Sequence, residues 1–139
     1  MFPAMDISTS GLAAQRLRMT AISSNLANIS TTHNERGEPE AYQPRFVVFE
    51  ADEGVGANGA LGVRVASVET DDIEPLMKYE PGHPDAIQEG PQKGYVAYPN
   101  VNMMTEFTDA LEAARAYEAN LGAMDIAKDL QQQTLRILA

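Results

Sequence analysis

Asn100–Ala139 reads NVNMMTEFTDALEAARAYEANLGAMDIAKDLQQQTLRILA, and from Met104 onward it holds no proline and a single glycine, Gly122. Ala, Leu, Glu, Gln and Met dominate it, all good helix formers. Phe107, Ala110, Ala114, Tyr117, Leu121, Met124, Leu135 and Leu138 recur at steps of three and four, a heptad seam interrupted at Lys128 and Gln131. The spacing predicts one helix of about 35 residues, on the order of 50 Å long. That exceeds the width of a small domain, so part of the helix needs a partner beyond the chain's own core. Ile126, Leu130 and Ile137 lie off the seam, and Ala113, Ala116, Ala119 and Ala123 line other faces. A helix apolar on more than one side is covered on more than one side.

Working outward, the opposite end of the chain carries a second heptad pattern over residues 4–31. Leu12, Met19 and Leu26 are spaced by sevens, with Ile22 and Ile29 three residues after the last two. Gly11 weakens the early turns. Asn28, Ser30-Thr31-Thr32 and Asn34 unwind the end by bonding their own backbone. Between the helical ends, Tyr42–Glu50 predicts a strand around Phe46-Val47-Val48-Phe49. Gly54–Ala60, with its Asn58-Gly59 pair, predicts the hairpin turn. Val63–Val68 alternates with period two and predicts the returning strand, one face apolar and one wet. Residues 69–99 contain Pro75, Pro81, Pro84, Pro91 and Pro99 and predict an extended connector, with a short strand at Gly94–Pro99. The predicted class is α+β: long terminal helices pairing as an antiparallel coiled coil, with a small hairpin-containing insertion. The helical core takes residues 1–32 and 100–139, and the β-rich insertion and Pro-rich connector take 33–99.

The formal charge of −10 sits mostly in the middle: residues 33–99 hold thirteen acids against five bases. Such a surface argues against nucleic acid or anionic lipid as partner. There are no cysteines, which excludes disulfides and thiol chemistry. No apolar run has the length of a membrane span, and the N-terminus, with Asp6 and no basic segment before an apolar core, does not read as a cleavable signal peptide.

Nothing in the pattern points to catalysis. His33 and His83 are far apart in turn-like stretches and read as exposed loop residues, without metal-ligand spacing. Asp71-Asp72-x-Glu74 lacks the alternation of a calcium loop and reads as a solvated acidic segment. Ser8-Thr9-Ser10 and Ser23-Ser24 have no adjacent base or nucleophile elbow. Gly54-x-Gly56 is a hairpin turn and not a phosphate cradle. Met103 and Met104 are adaptable packing. No enzyme activity, cofactor, metal or small-molecule substrate is expected.

Ser23-Ser24-Asn25-Leu26-Ala27-Asn28 with Ser30-Thr31-Thr32, and Arg115-Ala116-Tyr117-Glu118-Ala119-Asn120 near the other end, resemble the paired signatures of bacterial flagellar axial proteins. Tyr79-Glu80-Pro81-Gly82-His83-Pro84 and Gly94-Tyr95-Val96 followed by Pro99-Asn100-Val101-Asn102 are similar to the proximal-rod members of that family. The resemblance implies a non-enzymatic subunit, exported without a cleaved signal through the flagellar type III apparatus. It would stack helically in the periplasmic rod with other rod subunits and copies of itself, its terminal helices lining the inner layer. The residues it singles out for the assembly interface are Asn25, Leu26, Asn28, Phe107, Leu111, Arg115, Tyr117, Asn120, Leu121, Met124, Leu135 and Leu138. Leu26 and Tyr117 are packing anchors in this reading, and Asn25, Asn28, Arg115 and Asn120 polar register locks. The alternative is a cytosolic helical adaptor or chaperone-type module using the same heptads on a soluble partner.

Overall fold

The computed structural model describes residues 3–55 and 59–138. In chain order it contains α1 (Pro3–Ala27), β1 (Arg45–Asp52), β2 (Gly62–Thr70), β3 (Leu76–Tyr79), β4 (Tyr95–Tyr98) and α2 (Met103–Leu138). The strands form two separate two-stranded sheets, β1-β2 and β3-β4. This is the α+β class the sequence predicts.

Both helices begin where local chemistry favours it. Pro3 opens α1, where a missing N–H costs nothing. Asn102 caps α2: its side-chain oxygen accepts the N–H of Met104 at 3.0 Å and of Thr105 at 3.3 Å. α1 stops at Ala27, short of the predicted residue 31. Asn28 ends it by donating its side-chain amide to the Ser24 carbonyl at 2.9 Å and accepting the Thr31 hydroxyl at 3.1 Å. Local bonds of this kind compete with the helical ladder.

The chain divides into two compact units: residues 1–20, 47–68 and 109–139 form the first, and 21–46 with 69–108 the second. In the first, α1 and α2 run antiparallel. Arg18 pairs with Asp109 and Glu112 at 3.6 and 3.2 Å, Gly11 lies under Asn120, and the Thr9 hydroxyl reaches the Met124 sulfur at 3.7 Å. Within this unit the buried residues of α1 are small, Ser8, Gly11 and Ala14, and the helix continues into the second unit with Ala21, Ile22 and Asn25 buried. The seven-spaced Leu12, Met19 and Leu26 are half-buried at its flanks, a correction to the predicted seam. Small residues let the helix backbones approach. A Cβ on Gly11 would stand 3.0 Å from the Asn120 amide, so this glycine is a contact point as well as a weak helix former.

The β1-β2 hairpin docks on α1 through Ser10, whose hydroxyl accepts the Val63 N–H at 3.0 Å and donates to the Ile7 carbonyl at 2.7 Å. Gly62 permits the approach: a Cβ there would lie 2.7 Å from Val55 Cβ and 3.0 Å from the Ser10 hydroxyl. β1 and β2 start and end within three residues of their predicted bounds. The expected apolar face of β2 is not buried, however. Val63 and Val68 are exposed and Val65 is half-buried, because a two-stranded sheet covers little surface. Asn58 of the predicted turn lies outside the described residues, while Gly59 has a φ of 80°, the left-handed region that glycine favours.

The second unit holds a strand that the prolines concealed. β3 pairs antiparallel with β4, from Leu76 opposite Tyr98 to Tyr79 opposite Tyr95. Pro75 and Pro81 flank β3 without entering it, so the extended connector contains a ladder. The intervening loop folds back on β4, with Ile87 N–H on the Tyr95 carbonyl at 2.9 Å and Gly94 N–H on the Ile87 carbonyl at 2.8 Å. Val96 is fully buried and Ala86 nearly so, a small core for this unit.

Candidate assembly surface

Asn25 is the most heavily bonded of the singled-out residues, and it is buried. Its side-chain oxygen accepts the Tyr42 hydroxyl at 3.0 Å and the Arg45 N–H at 2.8 Å. Its amide donates to the Arg45 carbonyl at 2.9 Å and to the Glu106 carboxylate at 3.2 and 3.3 Å. One short side chain therefore joins the end of α1, the start of β1 and the start of α2. An amide suits this place because it offers an acceptor and a donor side by side. Ser24 completes the group through a 3.2 Å hydrogen bond with Tyr42.

Asn28 is spent on ending α1. Asn120 donates its amide to the Ala116 carbonyl at 2.9 Å and packs on Gly11. These three asparagines thus bond and pack inside the chain. Leu26, Tyr117 and Met124 are half-buried, and Arg115 is exposed. Phe107, Leu111, Leu121 and Leu135 are exposed by 51, 63, 43 and 59%. The Leu138 side chain lies outside the described residues. The predicted seam is therefore split: Ala110, Ala114, Tyr117 and Met124 are partly covered, while Phe107, Leu121 and Leu135 face outward. The covered line of α2 instead passes through Glu106, Ala113, Asn120, Met124, Ala127 and Gln131. Residues three, four and seven apart share a helix face, and Phe107 and Leu111 stand well away from that line at ~100° per residue.

His33 is exposed, as its loop position predicts, and His83 is half-buried; what the sequence spacing did not show is that the fold brings the two to one carboxylate. Both face Asp85, His33 Nδ1 at 3.3 Å and His83 Nδ1 at 3.8 Å from its carboxylate. The Thr32 hydroxyl donates to the same oxygen at 2.5 Å, and the Asp85 N–H donates to His83 Nδ1 at 3.1 Å. The Thr32 bond first, and then His33 and His83, hold the Asp85 carboxyl below its ordinary range against the opposing effect of burial. Nearby, Glu80 is held low by Lys78 at 2.5 Å and by the Tyr98 hydroxyl at 2.9 Å. These bonds fasten the loop after β3 to the turn after α1 and to β4.

The arrangement offers little to a small molecule. Among the described residues no group of His, Asp and Glu is placed to hold a metal ion, and no helix is long and apolar enough to cross a membrane. An open cleft of about 440 Å³ beside Tyr42 mixes Ser24, His33, Glu40 and Arg45, with the Ser24 hydroxyl engaged by Tyr42. What the surface does present is a large apolar side-chain area along α2. Arg18, Tyr42 and Glu106 bind the same elements together, and nothing in their sequence spacing announces it, since their partners lie 17–94 residues away.

Two family descriptions match the chain. Residues 5–33 match "Flagella basal body rod protein" and residues 92–137 match "Flagellar basal body rod FlgEFG protein C-terminal". The chain is 40% identical to the flagellar basal-body rod protein FlgC of Borreliella burgdorferi, covering 99% of this chain and 97% of that one. It is 34% identical to FlgC of Bacillus subtilis, over 98% and 97% of the two chains. Against FlgC of Salmonella typhimurium it is 38% identical, over 95% and 93%.

Proposed function

The chain belongs to the FlgC family of flagellar basal-body rod proteins and is a structural subunit of that rod; we propose that it serves in the proximal rod and transmits torque through helices packed among those of its neighbours. Residues 1–32 and 100–139 supply the helical core in this reading, with 33–99 as an insertion. The neighbours are copies of itself and the rod components FlgB, FlgF, FlgG and FliE. The subunit reaches the periplasm through the flagellar type III export apparatus without a cleaved signal, and it catalyses no reaction. A soluble adaptor fits neither family match.

The observation that carries this reading is the outward face of α2. Met104, Phe107 and Leu111 are exposed by 73, 51 and 63%. Burying such side chains releases ~25 cal/mol per Å², and repetition at every subunit contact stiffens a tube. The intramolecular bonds of Asn25, Asn28 and Asn120 shift the weight of the interface from these amides to Phe107, Leu111, Tyr117 and Leu121. Phe107→Ser combined with Leu111→Ser tests this. The variant is expected to keep its circular dichroism yet leave cells without complete rods in electron micrographs and without swimming. Normal rods and motility in that strain would defeat the proposal.

A further inference from the structure

His33 and His83 present the same ring nitrogen to Asp85 in opposite roles. The Asp85 carboxylate only accepts, and its oxygen already takes the Thr32 hydroxyl, so His33 Nδ1, 3.3 Å from that oxygen, carries a hydrogen toward it. His83 Nδ1 instead receives the Asp85 backbone N–H at 3.1 Å, so in the neutral ring that nitrogen is bare and the hydrogen sits on Nε2. The same His83 nitrogen lies 3.8 Å from the Asp85 carboxylate. One atom thus stands between a donor that needs its lone pair and an acceptor that needs its proton. Pro84 separates the two residues and has no N–H, which leaves the Asp85 N–H as the next donor along the chain. His83 is half-buried, and the turn it begins carries Ala86, which is buried and donates its N–H to the His83 carbonyl at 3.1 Å.

We propose that His83 is a proton-operated switch: neutral, it holds the Asp85 N–H; protonated at Nδ1, it releases that N–H and donates to the Asp85 carboxylate. Histidine is the side chain whose charge ordinarily changes between about pH 5 and 8. A proton taken from solvent onto Nδ1 turns an acceptor into a donor, and that donor then faces another donor, the Asp85 N–H. The charges around the ring decide where it turns. On its own loop it faces the Asp85 carboxylate and Glu80, and Glu80 is engaged by Lys78 of β3 and the Tyr98 hydroxyl of β4. The Tyr98 ring stands edge-on to it, with centroids 6.3 Å apart. From the segment after α1 come Thr32 and His33, both on the Asp85 oxygen. A shift of about 1 Å brings His83 Nδ1 to charge-assisted hydrogen-bond length from that oxygen. His33 does not switch, because it points a hydrogen at the carboxylate in either charge state. Acid therefore frees the backbone of residues 84–86 from the His83 ring, while the β3-β4 ladder, made of backbone bonds, stays. All these groups belong to the second unit, so the switch does not depend on how subunits assemble.

Nuclear magnetic resonance on the isotope-labelled full-length chain, from about pH 8 to about pH 5, tests this. At the alkaline end the ring nitrogens are expected to report Nε2–H for His83 and Nδ1–H for His33, with the Asp85 amide protected from exchange. On acidification that amide is expected to lose protection several-fold, after correction for intrinsic exchange, with the same midpoint as the His83 ring. His83→Asn removes the titrating group and keeps an acceptor, since the Asn side-chain oxygen can stand where Nδ1 stood. In that variant the Asp85 amide is expected to stay protected across the range. Four results overturn the switch: Nδ1–H on neutral His83, an Asp85 amide open at the alkaline end, protection that survives ring protonation, or a midpoint near 4 that belongs to the Asp85 carboxyl. An Asn variant that titrates as the parent does overturns it as well. If the Asn variant does not fold, the tautomer and the shared midpoint of the unsubstituted chain decide alone.

Discussion

Asn25 shows how much of this subunit turns on a single side chain. Truncating Asn25 removes the part-buried bonds to the Arg45 N–H and carbonyl together with those to Tyr42 and Glu106, and each lost bond is worth about 0.5–1.5 kcal/mol. Asn25→Ala is expected to lower the urea-unfolding free energy by about 2–4 kcal/mol. Asn25→Asp is expected to lose more at neutral pH, since a carboxylate would face the Arg45 carbonyl and the Glu106 carboxylate in place of a donor. Equal stability of all three proteins would show that the cluster contributes nothing. The asparagine was legible as important from its motif, but its role was not. A motif records that a residue type matters at a position, while Tyr42, Arg45 and Glu106 meet it only after folding.

At the scale of elements, helices were legible and the weaker strand was not. α2 declares itself through a proline-free stretch of good formers, and its 36 residues agree with the predicted length. β3 has four residues between prolines, too few for a period-two pattern, and it exists because β4 supplies its hydrogen bonds. The loop joining them is held by Asp85, and that has a consequence in acid. A carboxyl whose pKa is lowered by folding stabilises the protein above its unfolded pKa, near 3.8, and that contribution disappears as pH falls through the lower folded value. Asp85→Asn is therefore expected to be less stable than the parent at pH 6, with the gap closing as pH falls below about 4. Parallel urea midpoints at pH 6 and pH 3 measure this; a gap that persists in acid means the carboxylate charge is not what Thr32 and His33 stabilise. The Arg18 pairs with Asp109 and Glu112 stand partly in solvent and are worth under about 1 kcal/mol.

For the whole molecule, the apolar residues outnumber the places to bury them. Val96 and Ala113 reach 0% exposure, while Phe107, Leu111, Ile126, Leu130, Leu135 and Ile137 remain open. A chain with so small a core gains much of its order from neighbours. Helix content by circular dichroism is accordingly expected to be lower for the isolated chain in dilute solution than its 25- and 36-residue helices imply, and to rise on incorporation into rods. Full helicity of the dilute monomer would mean that subunit contacts add nothing to its folding. By itself the sequence determined the two helices, the first hairpin, the acidic middle and the family, because propensity, periodicity, composition and motif are properties of neighbouring residues. The tertiary structure alone decided that α1 meets α2 through small residues, that Asn25 is a clamp within the chain, and that Phe107 and Leu135 face outward. Those outcomes depend on which distant surfaces touch and at what register, and no local pattern carries that information.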